Sequence, residues 1–395
     1  MTRKITSITR RTPIPPSASR PVVTPIYPSV VYGSDDADAL DAQYEGRVAG
    51  YSYAREGHPN ADVLAAKLNW LEGAEDGIVT GSGMSALTAV MLGLLKAGDH
   101  VVAGDQLYGR SLRLLSQDLP RFGINTNLAD PTDIDAVRAA LRPDTRMVLV
   151  EVVSNPTLRV ADLAAIAELT AARGVLLVVD NTFTTPRSIQ PLALGADVVV
   201  HSVTKLLAGH SDATLGYAAA RDPAQMMAIR NFAITCGATA SPFDCWLAER
   251  GLHSFALRYD RAEANAAALA DHLAGLDGVD RVLYPTRTDH PDQARAAKLL
   301  GARGGTMVSF ALSGGRAAAN ALIRAARDIP FAPTLGDIGT TLSHAASSSH
   351  RGLSVADRAD LGITEGFFRV SVGVEDIALL KAEFDRAIAA ARAVA

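Results

Sequence analysis

Cysteine is nearly missing from this chain: Cys236 and Cys245 are the only two among 395 residues. Neither has a histidine at metal-ligand spacing, which argues against a disulfide framework and against a zinc site. Both are expected to be small buried side chains. An excess of one charge is missing too. A net charge of −4 offers no field to a polyanion, so nucleic acid is not an expected partner. No apolar run approaches the roughly 18–20 residues of a membrane span, and no membrane association is expected. Met1–Arg20 is basic and rich in proline and serine, without the apolar stretch of a secretory signal; a cytoplasmic location is the expectation. There is no internal repeat and no low-complexity tract beyond an alanine bias.

What remains is an ordinary globular composition, 48% hydrophobic and 20% charged, in a chain long enough for two or three packed domains. Residues 1–57 show little helical pattern. Pro21, Pro25 and Pro28 force an extended path, and such a segment needs another surface to lie on, so it is expected to reach a neighbouring subunit. From Asp62 helical periodicity sets in and Gly73 closes it. Short apolar strands are predicted at 77–80, 100–103, 147–152, 176–179 and 197–201, with helices at 111–122, 133–141 and 163–173 between them. Alternation of this kind predicts an α/β fold, a mostly parallel sheet sandwiched by helices, over residues 58–250. Residues 251–395 read as a smaller α+β domain with a long alanine-rich helix near 258–276 and strands near 282–284, 306–312 and 369–372.

Ligands of parallel sheets gather beyond the C-terminal strand ends, and two such ends carry chemistry here. Val175-Leu176-Leu177-Val178-Val179 delivers Asp180 and Asn181. Val198-Val199-Val200-His201 delivers Ser202, Thr204 and Lys205 into a loop that contains Gly209. A desolvated lysine loses proton affinity and becomes a nucleophile towards carbonyl carbon. An amine and a carboxylate at neighbouring strand ends point to pyridoxal phosphate, with Lys205 forming the Schiff base and Asp180 keeping the ring nitrogen protonated. Gly81-Ser82-Gly83-Met84-Ser85, between a strand and a helix, is a candidate phosphate cup, and Ser202 and Thr204 could add hydrogen bonds. Tyr108, alone in a loop after a strand, is a candidate ring-stacking residue and proton donor. Arg369, inside an apolar strand, calls for a carboxylate, either the protein's or a substrate's.

Together these residues resemble the Cys/Met-metabolism family of pyridoxal-phosphate enzymes. The likeness runs from Thr24-Pro25-Ile26-Tyr27 to Val372-Gly373-Val374-Glu375-Asp376, through Ser154-Asn155-Pro156-Thr157 and Asp180-Asn181-Thr182-Phe183. The resemblance implies a fold-type I subunit and a homotetramer, a dimer of dimers with shared active sites. It implies that Tyr53 and Arg55 of the arm bind phosphate in the partner's site. Gly83 and Met84 would offer it backbone N–H groups, and Tyr108 would stack on the ring. Asn155 and Arg369 would hold the amino-acid substrate, with Thr334 in the loop beside them.

The departures from the family pattern cluster where substrates are chosen: Gly57-His58-Pro59-Asn60, Leu206 after the lysine, Arg110 after Tyr108-Gly109, and Pro333 before Thr334-Leu335-Gly336. Asp337 and the Leu342–Ala346 run resemble members acting at Cγ. The expected reaction is therefore γ-elimination or γ-replacement on sulfur-containing or O-acylated homoserine-type amino acids, of the carbon–sulfur lyase type. The alternative is a dedicated γ-replacement synthase that adds a thiol. An aminotransferase of the same fold and a non-catalytic relative are the competing classes.

Overall fold

The computed structural model describes residues 17–395; the first part of the expected arm lies outside them. Residues 17–36 run without helix, as the prolines require. The arm is not extended throughout, however. Ala37–Tyr44 is a helix, capped by the Asp36 side chain accepting from the Ala39 N–H. Its small, acidic sequence has almost no apolar face, and so gives no periodic signal. His58 then caps the helix Pro59–Glu72, and Gly73 ends it in the left-handed conformation.

Seven strands follow in chain order: β1 (Gly77–Thr80), β2 (His100–Gly104), β3 (Asn125–Ala129), β4 (Thr145–Glu151), β5 (Leu176–Asp180), β6 (Val198–Ser202) and β7 (Gly216–Ala220). They form one sheet in the order β1-β7-β6-β5-β4-β2-β3. β2 to β6 pair in parallel, while β7 runs antiparallel to both β1 and β6. Apolar clusters cover the two faces, one built on Val148, Val150, Leu177 and Val179, the other on Leu149, Val178, Val198 and Val200. Consecutive valines therefore face opposite ways and both are buried. This is why β4 to β6 read as unbroken apolar runs.

Four strands form a second, antiparallel sheet in the order β10-β11-β9-β8: β8 (Val279–Leu283), β9 (Met307–Leu312), β10 (Thr341–His344) and β11 (Phe367–Ser371). Its core holds Phe310, stacked on Phe368 and edge-on to Phe384. The long helix Phe255–Ala274 and the C-terminal helix Ile377–Arg392 pack on it.

Two further expectations need correction. The helix foreseen over 111–122 is three short pieces: an α-turn Gly109–Arg113, a π-turn Leu114–Asp118 and a 3-10 turn Leu119–Phe122. Pro120 has no N–H to give a continuous helix, and the wider turn absorbs the mismatch. Cys245 is buried, but Cys236 is exposed, because it sits at the C-cap of the helix Pro223–Thr235 and no longer on its packed face. Among the described residues no helix is long and apolar enough to cross a membrane, and no cluster of metal-ligating side chains occurs.

Candidate active site

A cavity of about 860 Å³ opens where the ends of β4, β5 and β6 meet β11 of the second sheet. That volume suits a ligand of cofactor size together with a small substrate. Lys205, Asp180, Asn155, Tyr108, Arg369 and Thr334 all line it, as do Gly83, Met84, Ser202 and Thr204. The parallel register sets Asp180, the last residue of β5, opposite Glu151 on β4 and Val200 on β6.

Asp180 accepts the Thr182 N–H at 3.0 Å. Burial raises its carboxyl above the ordinary value; the hydrogen bonds from Thr182 and the electrostatic pull of His201 only partly offset this. A cation placed against it would reverse that cost. Lys205 begins the turn that leaves β6, its N–H donating to the Ser202 carbonyl at 3.2 Å. Burial lowers its amine below the usual lysine range, and the charge of Arg369 lowers it further. More of the amine is therefore unprotonated and nucleophilic at neutral pH.

The helix Gly83–Leu94 starts at this cavity. Ser82 and Ser85 form a capping box that satisfies the N–H groups of both. The N–H groups of Gly83 and Met84 have no partner among the described residues, so two donors and the positive helix end face one place. A Cβ on Gly83 would stand 2.7 Å from Ser202 Cβ, so only glycine lets the helix start lie against the end of β6. Thr204 is less open than expected: its hydroxyl donates to the Leu215 carbonyl at 3.1 Å and accepts the Leu215 N–H at 2.9 Å.

Arg369 comes from the centre of β11 and is only 5% exposed. One guanidinium nitrogen donates to Asn155 Oδ1 at 2.7 Å and another to the Thr334 carbonyl at 2.6 Å. Its Nε is buried with no partner. Burial pulls its pKa down to about 10, which still leaves it a cation at pH 7. A buried guanidinium held by neutral groups, with donors to spare, is a site for an incoming carboxylate.

Tyr53 and Arg55 do not reach this cavity in their own chain. Tyr53 forms a bridge to Val31, the Arg55 guanidinium lies 5.6 Å over the Tyr53 ring, and Arg55 Nη1 donates to the Ile234 carbonyl at 3.3 Å. Three lining residues escaped sequence reasoning. Glu151 ends β4, and a lone acid in the run Met147–Val153 was its available signal. His350 sits 3% exposed in the loop after β10, its imidazole pushed down to about 4 by burial and then by Arg369. Arg113 joins Arg110 on the wall, and its nearest acid is Asp118 at 3.9 Å.

The residues present fit pyridoxal phosphate: an amine of lowered proton affinity, a carboxyl raised by burial, and unpartnered donors at a helix start. The chain's relationships agree. The family model for Cys/Met metabolism PLP-dependent enzymes matches residues 6–389. An O-succinylhomoserine sulfhydrylase of Pseudomonas aeruginosa is 41% identical over 90% of this chain and 87% of its own. An L-methionine gamma-lyase of Pseudomonas putida is 36% identical over 93% of both. The crystal structure of a cystathionine gamma synthase from Xanthomonas oryzae, in complex with aminoacrylate and cysteine, superposes with a TM-score of 0.89 at 35% identity, covering 95% of this chain and 94% of that one. The chain belongs to the Cys/Met-metabolism family of PLP-dependent enzymes, and its fold is that family's fold-type I arrangement.

Proposed function

We propose that this enzyme performs γ-elimination or γ-replacement on sulfur-containing or O-acylated homoserine-type amino acids. The observation that carries this reading is the convergence of Lys205, Asp180 and the Arg369–Asn155 clamp on one cavity. Bound pyridoxal phosphate supplies an aldehyde for amines and a ring that takes up electron density released at carbon. Gly83 and Met84, with Ser202, hold the phosphate, and Asp180 keeps the ring nitrogen protonated. Arg369 binds the substrate α-carboxylate and so fixes which bond at Cα is presented. The Lys205 amine, its proton affinity lowered by burial and then by Arg369, accepts the Cα proton. Tyr108 lends its phenol as the proton donor to the departing γ-group.

Replacement is favoured by one feature. Arg110 and Arg113 add two guanidinium groups to the cavity wall, and the 41% identical relative is a sulfhydrylase named for an O-succinyl substrate. Cations there suit a γ-substituent that ends in a second carboxylate. The test measures keto-acid release against thiol incorporation with O-succinylhomoserine, O-acetylhomoserine, cystathionine and methionine. Thiol incorporation fastest with the succinyl ester supports replacement; fast keto-acid release from methionine or cystathionine makes elimination the main activity. A stable pyridoxamine spectrum with no γ-product refutes both in favour of transamination.

The same reading divides the chain into an arm (1–57), a cofactor domain (58–250) and a C-terminal domain (251–395). It gives a cytoplasmic homotetramer in which Tyr53 and Arg55 complete the phosphate site of the adjacent subunit. The exposed Tyr53–Arg55 pair, turned away from its own cavity, supports this.

A further inference from the structure

Glu151 is the buried acid that the reaction just described does not use. It is the last residue of β4, 8% exposed, in register with Asp180 one strand away, and it lines the cavity. Its Oε1 accepts the Tyr108 N–H at 2.7 Å. Its Oε2 is buried without any partner. Tyr108 is otherwise weakly held: it precedes the five-residue helix Gly109–Arg113, makes no side-chain capping bond and is 43% exposed. We propose that Glu151 is a positioning residue, a neutral carboxylic acid that ties the Tyr108 loop to the rigid end of β4 and thereby fixes the phenol over the reaction site.

The neutral form follows from what surrounds the group. Burial comes first and the Asp180 carboxylate second in driving its proton affinity far above the usual range. The Tyr108 and Asn155 amides and the Arg369 charge only oppose this. Two acids at adjacent strand ends do not both ionise easily. A proton on Glu151 has two consequences. Asp180 keeps its full negative charge for the ring nitrogen. Arg369, which feels Glu151 electrostatically, keeps its positive charge for the substrate carboxylate instead of spending it inside the protein. The carbonyl oxygen of the neutral acid still accepts from Tyr108, while the O–H at the unpartnered oxygen is free to donate into the cavity.

The test compares the full-length wild type with E151Q and E151A, reading amide hydrogen exchange over residues 105–113, melting temperature and the pH profile of kcat/KM. Glutamine keeps the acceptor and the neutral charge. E151Q is expected to match wild type within about threefold in kcat and KM, with the pH profile and Tyr108 exchange unchanged. E151A is expected to exchange at Tyr108 at least about tenfold faster, because its tether is gone, and to lose about tenfold or more in kcat with KM less affected. A tenfold loss in E151Q at native melting temperature overturns the proposal, because an ionised carboxylate is then required. So does a stably folded E151A with wild-type exchange and kcat. Should E151A fail to fold, E151Q decides alone: an intact variant supports the neutral tether, a defective one refutes it. The inference rests on this cavity being the reaction site, but exchange at Tyr108 is read without substrate, so it survives an error in the substrate class.

Discussion

Two buried arginines, one on each side of Lys205, show how the same side chain serves different ends. Arg258, 7% exposed, reaches from the helix Phe255–Ala274 to the back of the lysine loop. Its guanidinium donates to the carbonyls of Leu206, Leu207 and Gly251 at 2.9–3.1 Å, and its Nε reaches Ser254 Oγ at 3.2 Å. Gly209 must be glycine there, for a Cβ would lie 1.8 Å from Arg258 Nη1. Arg369, on the cavity side, has one amide oxygen and one carbonyl, with Nε left over. Neither forms an ion pair among the described residues. The first spends its donors on the backbone and fixes the loop that carries the amine. The second is left under-satisfied, and burying polar donors without partners is costly enough to mark a binding site.

The comparison breaks if the two arginines respond alike to substitution. Arg369→Lys keeps the charge but loses the planar fork, and kcat/KM should fall about 10–100-fold with the melting temperature nearly unchanged. Steady-state kinetics beside a thermal melt reads both. Arg258→Met leaves the Leu206 and Leu207 carbonyls without a donor, while that of Gly251 keeps the Ser254 N–H, and unsatisfied buried groups cost about 1–3 kcal/mol each before relaxation. Its main effect should be a melting temperature lower by several degrees, with kcat/KM falling less than in Arg369→Lys. Matching kinetic losses in the two variants would erase the distinction between scaffold and binding arginine.

A smaller effect sharpens it through pH. His350, beside Arg369, is held at about 4, whereas an unfolded imidazole titrates near 6.5. Between those values the unfolded chain binds the extra proton. This stabilising contribution is complete above pH 6.5 and is lost as pH falls towards 4. His58, His100, His290 and His344, also lowered by burial, act in the same direction. The raised acids Glu151 and Asp180 act oppositely, contributing stability that is lost as pH rises through their shifted values. A His350→Gln variant isolates one term: its stability, read by urea melts from pH 7 to 4.5, should fall less steeply than wild type.

The amine and its carboxylate were legible in the sequence because both end unbroken apolar strands, where a charge stands out. Glu151 also ends such a strand, yet Val152 and Val153 continue the apolar run past it and hide the boundary. β7 was missed because Gly216-Tyr217-Ala218-Ala219-Ala220 has little strand propensity; burial between β1 and β6 makes it a strand. β10, Thr341-Leu342-Ser343-His344, holds a single apolar residue, so neither an apolar run nor a period shows. Arg258 carries no local signal either, since the two carbonyls it holds in the lysine loop lie 52 and 51 residues upstream. Close approaches of this kind belong to tertiary packing, which no sequence period reports.

The most direct measurement is borohydride reduction of the yellow purified enzyme, followed by peptide mapping. The account predicts a pyridoxyl group fixed on the peptide containing Lys205, and no such label and no visible absorbance band in Lys205→Ala. Label on another lysine, or an undiminished band in that variant, contradicts it.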